Sequence, residues 1–187
     1  MAHRVCPWWL GYFLASPIRR LFADPAAIVR PYVRPGMTVL EPGPGMGFFT
    51  VELARRVGPN GRVIAVDIQP RMIAGLKRRI AKAGSSDRVE ARVAPHDSLG
   101  LSDLRGKVDV TFAMAVVHEM PGPEWFFNQI AEATKSGGAV FLAEPAGHVN
   151  DDDFAAELEA ASKAAFQVIN RPAMRRLHTA LLRPWSS

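Results

Sequence analysis

The sequence is poor in the residues that build disulfides and metal sites. Its 187 residues include one cysteine, Cys6, which excludes an intramolecular disulfide and a zinc site made of several cysteines. No metal site is therefore predicted. A cytoplasmic location is expected, because thiols stay reduced there.

Long apolar runs are also missing. The most apolar segment, residues 5–15, is too short to span a bilayer and is interrupted by Pro7 and Gly11. A signal peptide is the less favoured interpretation, because two tryptophans lie within the segment. We expect no transmembrane segment here, and a surface segment or a lid instead.

No block of consecutive Lys/Arg residues of the tail type is present, although the formal net charge is +5 and the pI is about 9.9. The positive charges are spread along the chain, which favours a mildly basic enzyme over a protein that binds nucleic acid. Nucleic-acid binding stays open as the alternative. The length and the 48% apolar content suit one soluble domain with a full core.

Short apolar strands alternate with amphipathic helices along the chain. Apolar residues recur at helical spacing after the first strand, as at Phe49, Leu53 and Val57, until Gly58-Pro59 ends the pattern. This alternation predicts an α/β fold, a doubly wound and mostly parallel sheet with helices on both faces. The predicted strands cover residues 38–41, 62–67, 88–93, 108–117, 139–144, 166–170 and 178–182, and the predicted helices begin near residues 24, 49, 70, 122 and 150.

A glycine-rich loop follows the first predicted strand, in the run Val39-Leu-Glu-Pro-Gly-Pro-Gly-Met-Gly-Phe-Phe49. Its glycines have the spacing G-x-G-x-G, whereas dinucleotide-binding loops have G-x-G-x-x-G. Ligands of doubly wound sheets bind beyond the carboxyl ends of the strands, where this loop is expected. Asp67 ends the second strand, and a carboxylate there can accept hydrogen bonds from both ribose hydroxyls.

Glu41 narrows the choice of ligand. An acidic residue at the end of the first strand is badly placed beside a pyrophosphate, but it suits a cationic amino group. The start of the helix beyond Gly47 favours a carboxylate. The predicted ligand therefore has an adenosine end, an amino-acid end and no phosphate.

With these features the chain resembles the class I S-adenosylmethionine-dependent methyltransferases. The resemblance covers about residues 36 to 183, and it implies S-adenosylmethionine as the cofactor and a seven-stranded sheet whose last strand is antiparallel. It also divides the chain into an N-terminal helical or lid segment, residues 1–35, and a methyltransferase domain, residues 36–187. The matching segments are Val39–Gly47, Val63–Ile68, Val108–Glu119 and Gly137–Glu144.

The resemblance also implies roles for individual residues around the cofactor. Glu41 would reach the amino group, Asp67 would hold the ribose, and Ile68 would pack on the adenine. The residues implied around the methionine moiety are Gly43, Pro44, Gly45, Gly47, Ala113 and Met114.

One region departs from the pattern of this family. Members often carry an acidic residue just after the third strand, where it meets the adenine amino group. Here the segment is Val93-Ala-Pro-His-Asp-Ser98, so Asp97 and Ser98 are the candidates. Asp97 is equally well placed in sequence to cap a following helix, and this alternative stays open.

Three polar residues near strand ends are candidates for handling the methyl acceptor. Methyl transfer needs a base when the nucleophile carries a proton, and the imidazole of His118 has an unperturbed pKa near neutrality. The alternative is that His118 only orders the loop. Glu119 and Glu144 either bind a polar group of the substrate or are simply solvated.

The aromatic residues of the N-terminal segment have two interpretations. Trp9 and Tyr12 belong to a group that would lie mostly on one side of a short helix, a spacing typical of core packing. In the family that this chain resembles, N-terminal additions commonly cover the acceptor pocket. We therefore expect a hydrophobic lid in which these two residues contact the substrate.

The sequence lacks the residues that several other enzyme classes require. Short-chain dehydrogenases need a Tyr-x-x-x-Lys pair after the glycine loop, yet both tyrosines precede it. Amino methylation of nucleobases typically uses an Asp/Asn-Pro-Pro-aromatic segment, and carbon-5 pyrimidine methylation needs a cysteine in the sheet's loops; neither is present. The missing cysteines also disfavour arsenic methylation of the multi-cysteine type.

The sequence thus predicts methyl transfer to a small-molecule acceptor. Methylation of protein or RNA is the alternative within the same class. A cofactor-binding protein without turnover is the alternative from another class, because a fold does not establish a function.

Overall fold

The structure is a computed structural model and describes residues 24–185. Trp9, Tyr12 and residues 5–15, for which a lid is predicted, lie outside the described residues. The described chain divides into two compact units, residues 24–100 and residues 101–185.

The first unit is a three-stranded parallel sheet with helices between its strands. Its strand order is β3-β2-β1, and Leu40 pairs with Ile64, which in turn pairs with Glu90. Its elements are α1 (Pro25–Val29), β1 (Thr38–Pro42), α2 (Thr50–Val57), β2 (Arg62–Asp67), α3 (Pro70–Lys82) and β3 (Val89–Val93).

The second unit has four strands in the order β4-β5-β7-β6. Strand β4 is parallel to β5, whereas β7 is antiparallel to both β5 and β6. Its elements are a 3-10 helix (Ser102–Leu104), β4 (Val108–Met114), a second 3-10 helix (Val117–Glu119), α4 (Pro123–Ala133), β5 (Thr134–Pro145), α5 (Asp151–Lys163), β6 (Phe166–Asn170) and β7 (Leu177–Pro184).

These strands confirm the predicted α/β fold class, a mostly parallel seven-stranded sheet with flanking helices and an antiparallel last strand. Parallel strands covered by helices are apolar on both faces, and β2 buries Val63 to Val66 almost completely.

Local signals in the sequence place several helix ends correctly. The Asp24 carboxylate accepts a hydrogen bond from the Ala26 N–H at 2.9 Å and so caps α1. Asn150 and Asp153 form a capping box at the start of α5. Gly58 ends α2 with φ of +68°, a backbone conformation that glycine adopts without strain.

The bounds of two strands differ from the prediction by several residues. Strand β4 stops at Met114 rather than at residue 117. Strand β5 begins at Thr134 instead of Ala139, because its pairing with β4 shifts register and so takes in Gly137 and Gly138. A Cβ on Gly138 would lie 2.7 Å from the Thr134 side chain, so this part of the strand requires a glycine.

Candidate functional site

The glycine loop after β1 uses backbone conformations that favour glycine. Gly43, Gly45 and Gly47 have φ angles of +62°, +54° and +84°. The Gly43 N–H donates to the Val66 carbonyl at 2.9 Å, and the Gly47 N–H donates to the Pro44 carbonyl at 3.0 Å. The loop therefore turns tightly between β1 and α2, and its first residue, Gly43, is hydrogen-bonded to β2.

Helix α3 supports the loop from one side. A Cβ on Gly47 would lie 2.6 Å from Cδ1 of Leu76, so the backbone of the loop approaches this helix closely. Met46 is buried and packs with Met72, and its Cγ would lie 3.0 Å from a Cβ on Gly75. The shape of the loop is thus fixed by packing as well as by its own turns.

Glu41 is a buried acid at the end of β1, directly before the glycine loop. Its residue surface is 4% exposed, and its Oε2 accepts a hydrogen bond from Thr50 Oγ1 at 2.6 Å. Burial raises the pKa of Glu41 to about 8, although the hydrogen bond from Thr50 lowers it. With these neighbours Glu41 holds a proton near neutral pH, and a cation beside it would favour its ionised form.

Asp67 and Ile68 lie at the end of β2, as predicted. The Asp67 carboxylate accepts a hydrogen bond from the Gln69 N–H at 2.8 Å and is half-buried. Ile68 is 37% exposed, so part of an apolar side chain faces outward beside Asp67. The first unit therefore places a carboxylate and an apolar side chain next to each other at a strand end.

The segment after β3 settles one alternative for Asp97. The helix that follows begins at Ser102, and its N-cap is Leu101 with no side-chain hydrogen bond. The interpretation of Asp97 as a helix cap is therefore wrong. Asp97 is exposed and Ser98 is half-buried in a bend, and their contact with a cofactor stays a prediction.

In the second unit, Ala113 and Met114 lie at the end of β4 as predicted. Ala113 is fully buried and Met114 is partly exposed, and they pair with Leu142 and Ala143 of β5. The next residue, Ala115, has φ of +55°, so the chain leaves the strand there. Their role as cofactor contacts stays a prediction.

His118 and Glu144 are in direct contact. His118 Nδ1 contacts Glu144 Oε2, and Glu144 Oε1 accepts hydrogen bonds from the N–H groups of Val116 and Val117 at 3.0 and 2.7 Å. Glu144 is 0% exposed, so the expectation that it is simply solvated is wrong. Its two backbone hydrogen bonds also explain why β4 ends early, since they hold Val116 and Val117 in a turn.

Glu144 and Glu119 set the electrostatics around His118. Burial lowers the pKa of His118, but the hydrogen bond and charge of Glu144 and the charge of Glu119 outweigh it, so the pKa lies above its ordinary value. The Nε2 atom lies 4.0 Å from Glu119 Oε1, and 21% of the His118 side chain is exposed. Nδ1 is therefore engaged with Glu144, while Nε2 is the nitrogen available to a partner.

Four polar residues near these groups were missed by the sequence analysis. Thr50 binds Glu41, and His148 lies edge to face with His118 at a ring-centroid distance of 5.8 Å. Glu157 is buried, and His178 pairs with Glu144 across β5 and β7. His148 was detectable, because it follows the strand that carries Glu144; the others depend on packing between distant elements.

Two features are absent from residues 24–185. No helix in that range is long and apolar enough to cross a membrane. No group of three or more His, Cys, Asp or Glu residues in the same range is arranged to hold a metal ion.

The family model described as "Methyltransferase domain" matches residues 34–179, and the chain belongs to this family. A solved structure of a SAM-dependent methyltransferase from Aquifex aeolicus shares the fold, with a TM-score of 0.82 and 22% sequence identity. That similarity covers 95% of this chain and 98% of the other. The predicted class, a class I S-adenosylmethionine-dependent methyltransferase domain, is confirmed.

Curated relatives act on different acceptors. An arsenite methyltransferase of Halobacterium salinarum is 34% identical over 110 residues, which are 59% of this chain and 27% of that protein. A protein-L-isoaspartate O-methyltransferase of Triticum aestivum is 25% identical over 150 residues, 78% of this chain and 61% of that protein. The chain thus spans about a quarter to three-fifths of the length of these two relatives.

Proposed function

We propose that this protein transfers the methyl group of S-adenosylmethionine to a small-molecule acceptor. The observation that carries the proposal is the buried Glu41 at the end of β1, beside a glycine loop, in a chain of the methyltransferase-domain family. Bound S-adenosylmethionine supplies an electrophilic methyl group on a sulfonium. The protein's own contributions are binding, alignment and proton removal.

The donor set of the first unit fits this cofactor. Glu41 is buried with one side-chain donor, Thr50, so its ionised form gains from a cationic partner such as an amino group. Asp67 offers carboxylate oxygens for ribose hydroxyls, and Ile68 offers an exposed apolar surface for a base. A pyrophosphate suits neither acid, because an anion beside Glu41 would oppose its ionisation and the Asp67 carboxylate would repel the phosphates.

The backbone of the glycine loop completes the proposed cofactor site. Gly43, Pro44, Gly45 and Gly47 leave little side-chain bulk along this turn, so a ligand can approach the backbone closely. Helix α2 starts at Thr50, immediately after the loop, and its N-terminus favours the ligand's carboxylate. The contacts proposed for Asp97, Ser98, Ala113 and Met114 come from the family resemblance.

His118 is the proposed general base. Because Nδ1 donates its proton to the Glu144 carboxylate, Nε2 carries the lone pair that accepts a proton from the acceptor. Glu144 then stabilises the imidazolium with its negative charge. Glu144 is fully buried, so it acts by positioning His118 rather than by direct contact with substrate, and Glu119 beside Nε2 is the proposed substrate contact.

A small-molecule acceptor is supported by what the chain lacks. It has no Asp/Asn-Pro-Pro-aromatic segment, no cysteine in residues 24–185 and no tail-type block of consecutive Lys/Arg residues. Transfer from radiolabelled S-adenosylmethionine should therefore appear in the low-molecular-mass fraction of a cell extract. Label confined to protein or RNA would contradict the acceptor class while leaving methyl transfer intact.

Calorimetry tests the cofactor directly. S-adenosylmethionine or S-adenosylhomocysteine should bind, and Asp67→Ala should weaken binding by about 1 to 3 kcal/mol, the cost of losing charge-assisted hydrogen bonds. Asp87→Ala is a matched control, since Asp87 is an exposed acid of the same unit that pairs with Arg88. Binding of NAD instead of S-adenosylmethionine would overturn the proposal.

A further inference from the structure

Glu157 is a buried acid for which the proposed reaction has no use. It lies in α5, its residue surface is 5% exposed, and its Oε2 has no hydrogen-bond partner among residues 24–185. A carboxylate oxygen that is buried without a donor disfavours the charged form, whereas the neutral carboxylic acid is tolerated. The geometry around Glu157 thus favours its protonated form.

The neighbouring acid, Glu144, has the opposite environment. Its two oxygens receive the N–H groups of Val116 and Val117 and the contact from His118. Hydrogen-bond donors favour a carboxylate, so this acid is the one stabilised as an anion. When two buried acids share a region, the difference in donors decides which one keeps the proton.

The packing of α5 places Glu157 on the sheet side of the helix. His178 pairs with Glu144 across β5 and β7, so both side chains point to the same face of the sheet. The His178 ring stacks on Phe154 with centroids 5.3 Å apart. Glu157 follows Phe154 by three residues and therefore lies on the same side of α5.

We propose that Glu157 is a positioning residue that keeps a proton beside Glu144, so that Glu144 alone holds the negative charge that orients His118. This inference rests on the proposed role of His118 as the base. It explains why an acid whose buried Oε2 has no donor among residues 24–185 lies on this face, where a second anion would compete for the proton on the imidazole.

The charges around these residues agree with this assignment. Burial, the charge of Glu144 and the charge of Asp153 raise the pKa of Glu157 to about 8. Above that pH Glu157 ionises and places a second negative charge beside Glu144. Other titratable groups lie on the strands and helices that pack around Glu157 and Glu144. Near the strand ends these are Glu119, His148, Asp151 and His178; farther away they are Glu124, Glu132, Glu159, Lys163 and Arg183. Glu124 and Glu159 both pair with Lys163.

An NMR titration of the His118 ring in the full chain tests the proposal. The wild-type His118 signal should show a second inflection near pH 8, where Glu157 ionises, and both Glu157→Gln and Glu157→Met should lose it. Glu159→Gln is the matched control, because Glu159 lies in the same helix with 69% of its side chain exposed, and it should retain the inflection. A wild-type titration without that inflection, or one unchanged in Glu157→Gln, would overturn the proposal.

A second measurement covers the case in which these variants fold poorly. Denaturant unfolding of the wild type should show stability falling from pH 6 to pH 9, and Glu157→Gln should reduce this fall, whatever its absolute stability. An equal fall in wild type and Glu157→Gln would contradict the proposal. Neither measurement needs turnover, so an inactive protein would refute the proposed function without deciding the role of Glu157.

Discussion

Glu144 and His118 are 26 residues apart in the sequence, yet a carboxylate oxygen of one contacts the Nδ1 atom of the other. Glu144 has a fully buried side chain, whereas 21% of the His118 side chain is exposed. The pair therefore has a buried end that fixes orientation and an accessible end, Nε2, that can exchange a proton.

Glu144→Gln should reverse the tautomer of His118. The Gln Nε2 group would donate to Nδ1, so the proton of the imidazole would move to Nε2 and no lone pair would remain there. We expect kcat to fall by roughly 100- to 10,000-fold, the range contributed by a general base. Steady-state kinetics should show this loss with cofactor affinity nearly unchanged.

Glu119→Gln is a useful control for this variant. It removes the charge at 4.0 Å from Nε2 but leaves Glu144 and the tautomer in place, so kcat should fall far less. A Glu144→Gln enzyme with wild-type kcat would remove His118 from the proposed mechanism.

The affinity for S-adenosylmethionine should rise with pH between about 6 and 7.5. Glu41 has a pKa of about 8, so binding of the cationic ligand ionises it and releases up to one proton. Because at most one proton is released, the affinity can rise by at most about tenfold per pH unit. Calorimetry in two buffers of different ionisation enthalpy measures the released proton directly.

Glu41→Gln serves as the reference for that titration. It keeps an oxygen to accept from Thr50 but cannot ionise, so binding should be weaker and the Glu41-linked proton release should vanish. Equal proton release in wild type and Glu41→Gln would show that another group titrates on binding.

Glu41 should also make the ligand-free protein less stable as the pH rises. Its folded pKa of about 8 lies above the ordinary value of 4.5, so its contribution to stability is fully present below pH 4.5 and is lost as the pH rises through about 8. Glu41 alone can lower the free energy of unfolding by at most about 1.4 kcal/mol per pH unit. Urea unfolding from pH 5 to pH 8.5 should be flatter in Glu41→Gln, and parallel curves would contradict the assignment.

Gly47→Ala should weaken both folding and cofactor binding. An alanine at φ of +84° costs about 1 to 2 kcal/mol, and its Cβ would also lie 2.6 Å from Leu76 Cδ1. Gly58→Ala is the matched control, because φ is +68° there but no atom lies within 4 Å of the added Cβ. Thermal unfolding should detect both changes, whereas calorimetry should detect a loss of cofactor affinity only for Gly47→Ala.

Two polar features of this protein could not be predicted from sequence. The burial of Glu144 depends on backbone N–H groups that become available only where β4 ends. The lack of a donor for Glu157 Oε2 among residues 24–185 depends on how α5 packs. Both features arise where elements distant in sequence pack together, so no local pattern of residue types predicts them.

The sequence by itself determined the order of strands and helices, the glycine loop with Glu41 and the position of Asp67. These follow from local periodicity, from turns that require glycine and from the chain order of the elements. Only the tertiary structure decided that β4 ends at Met114, that Glu144 is buried against His118 and that Glu157 Oε2 has no donor within the described part of the chain. Burial and hydrogen-bond satisfaction are set where separate elements pack together, so they belong to the folded chain and not to any one segment.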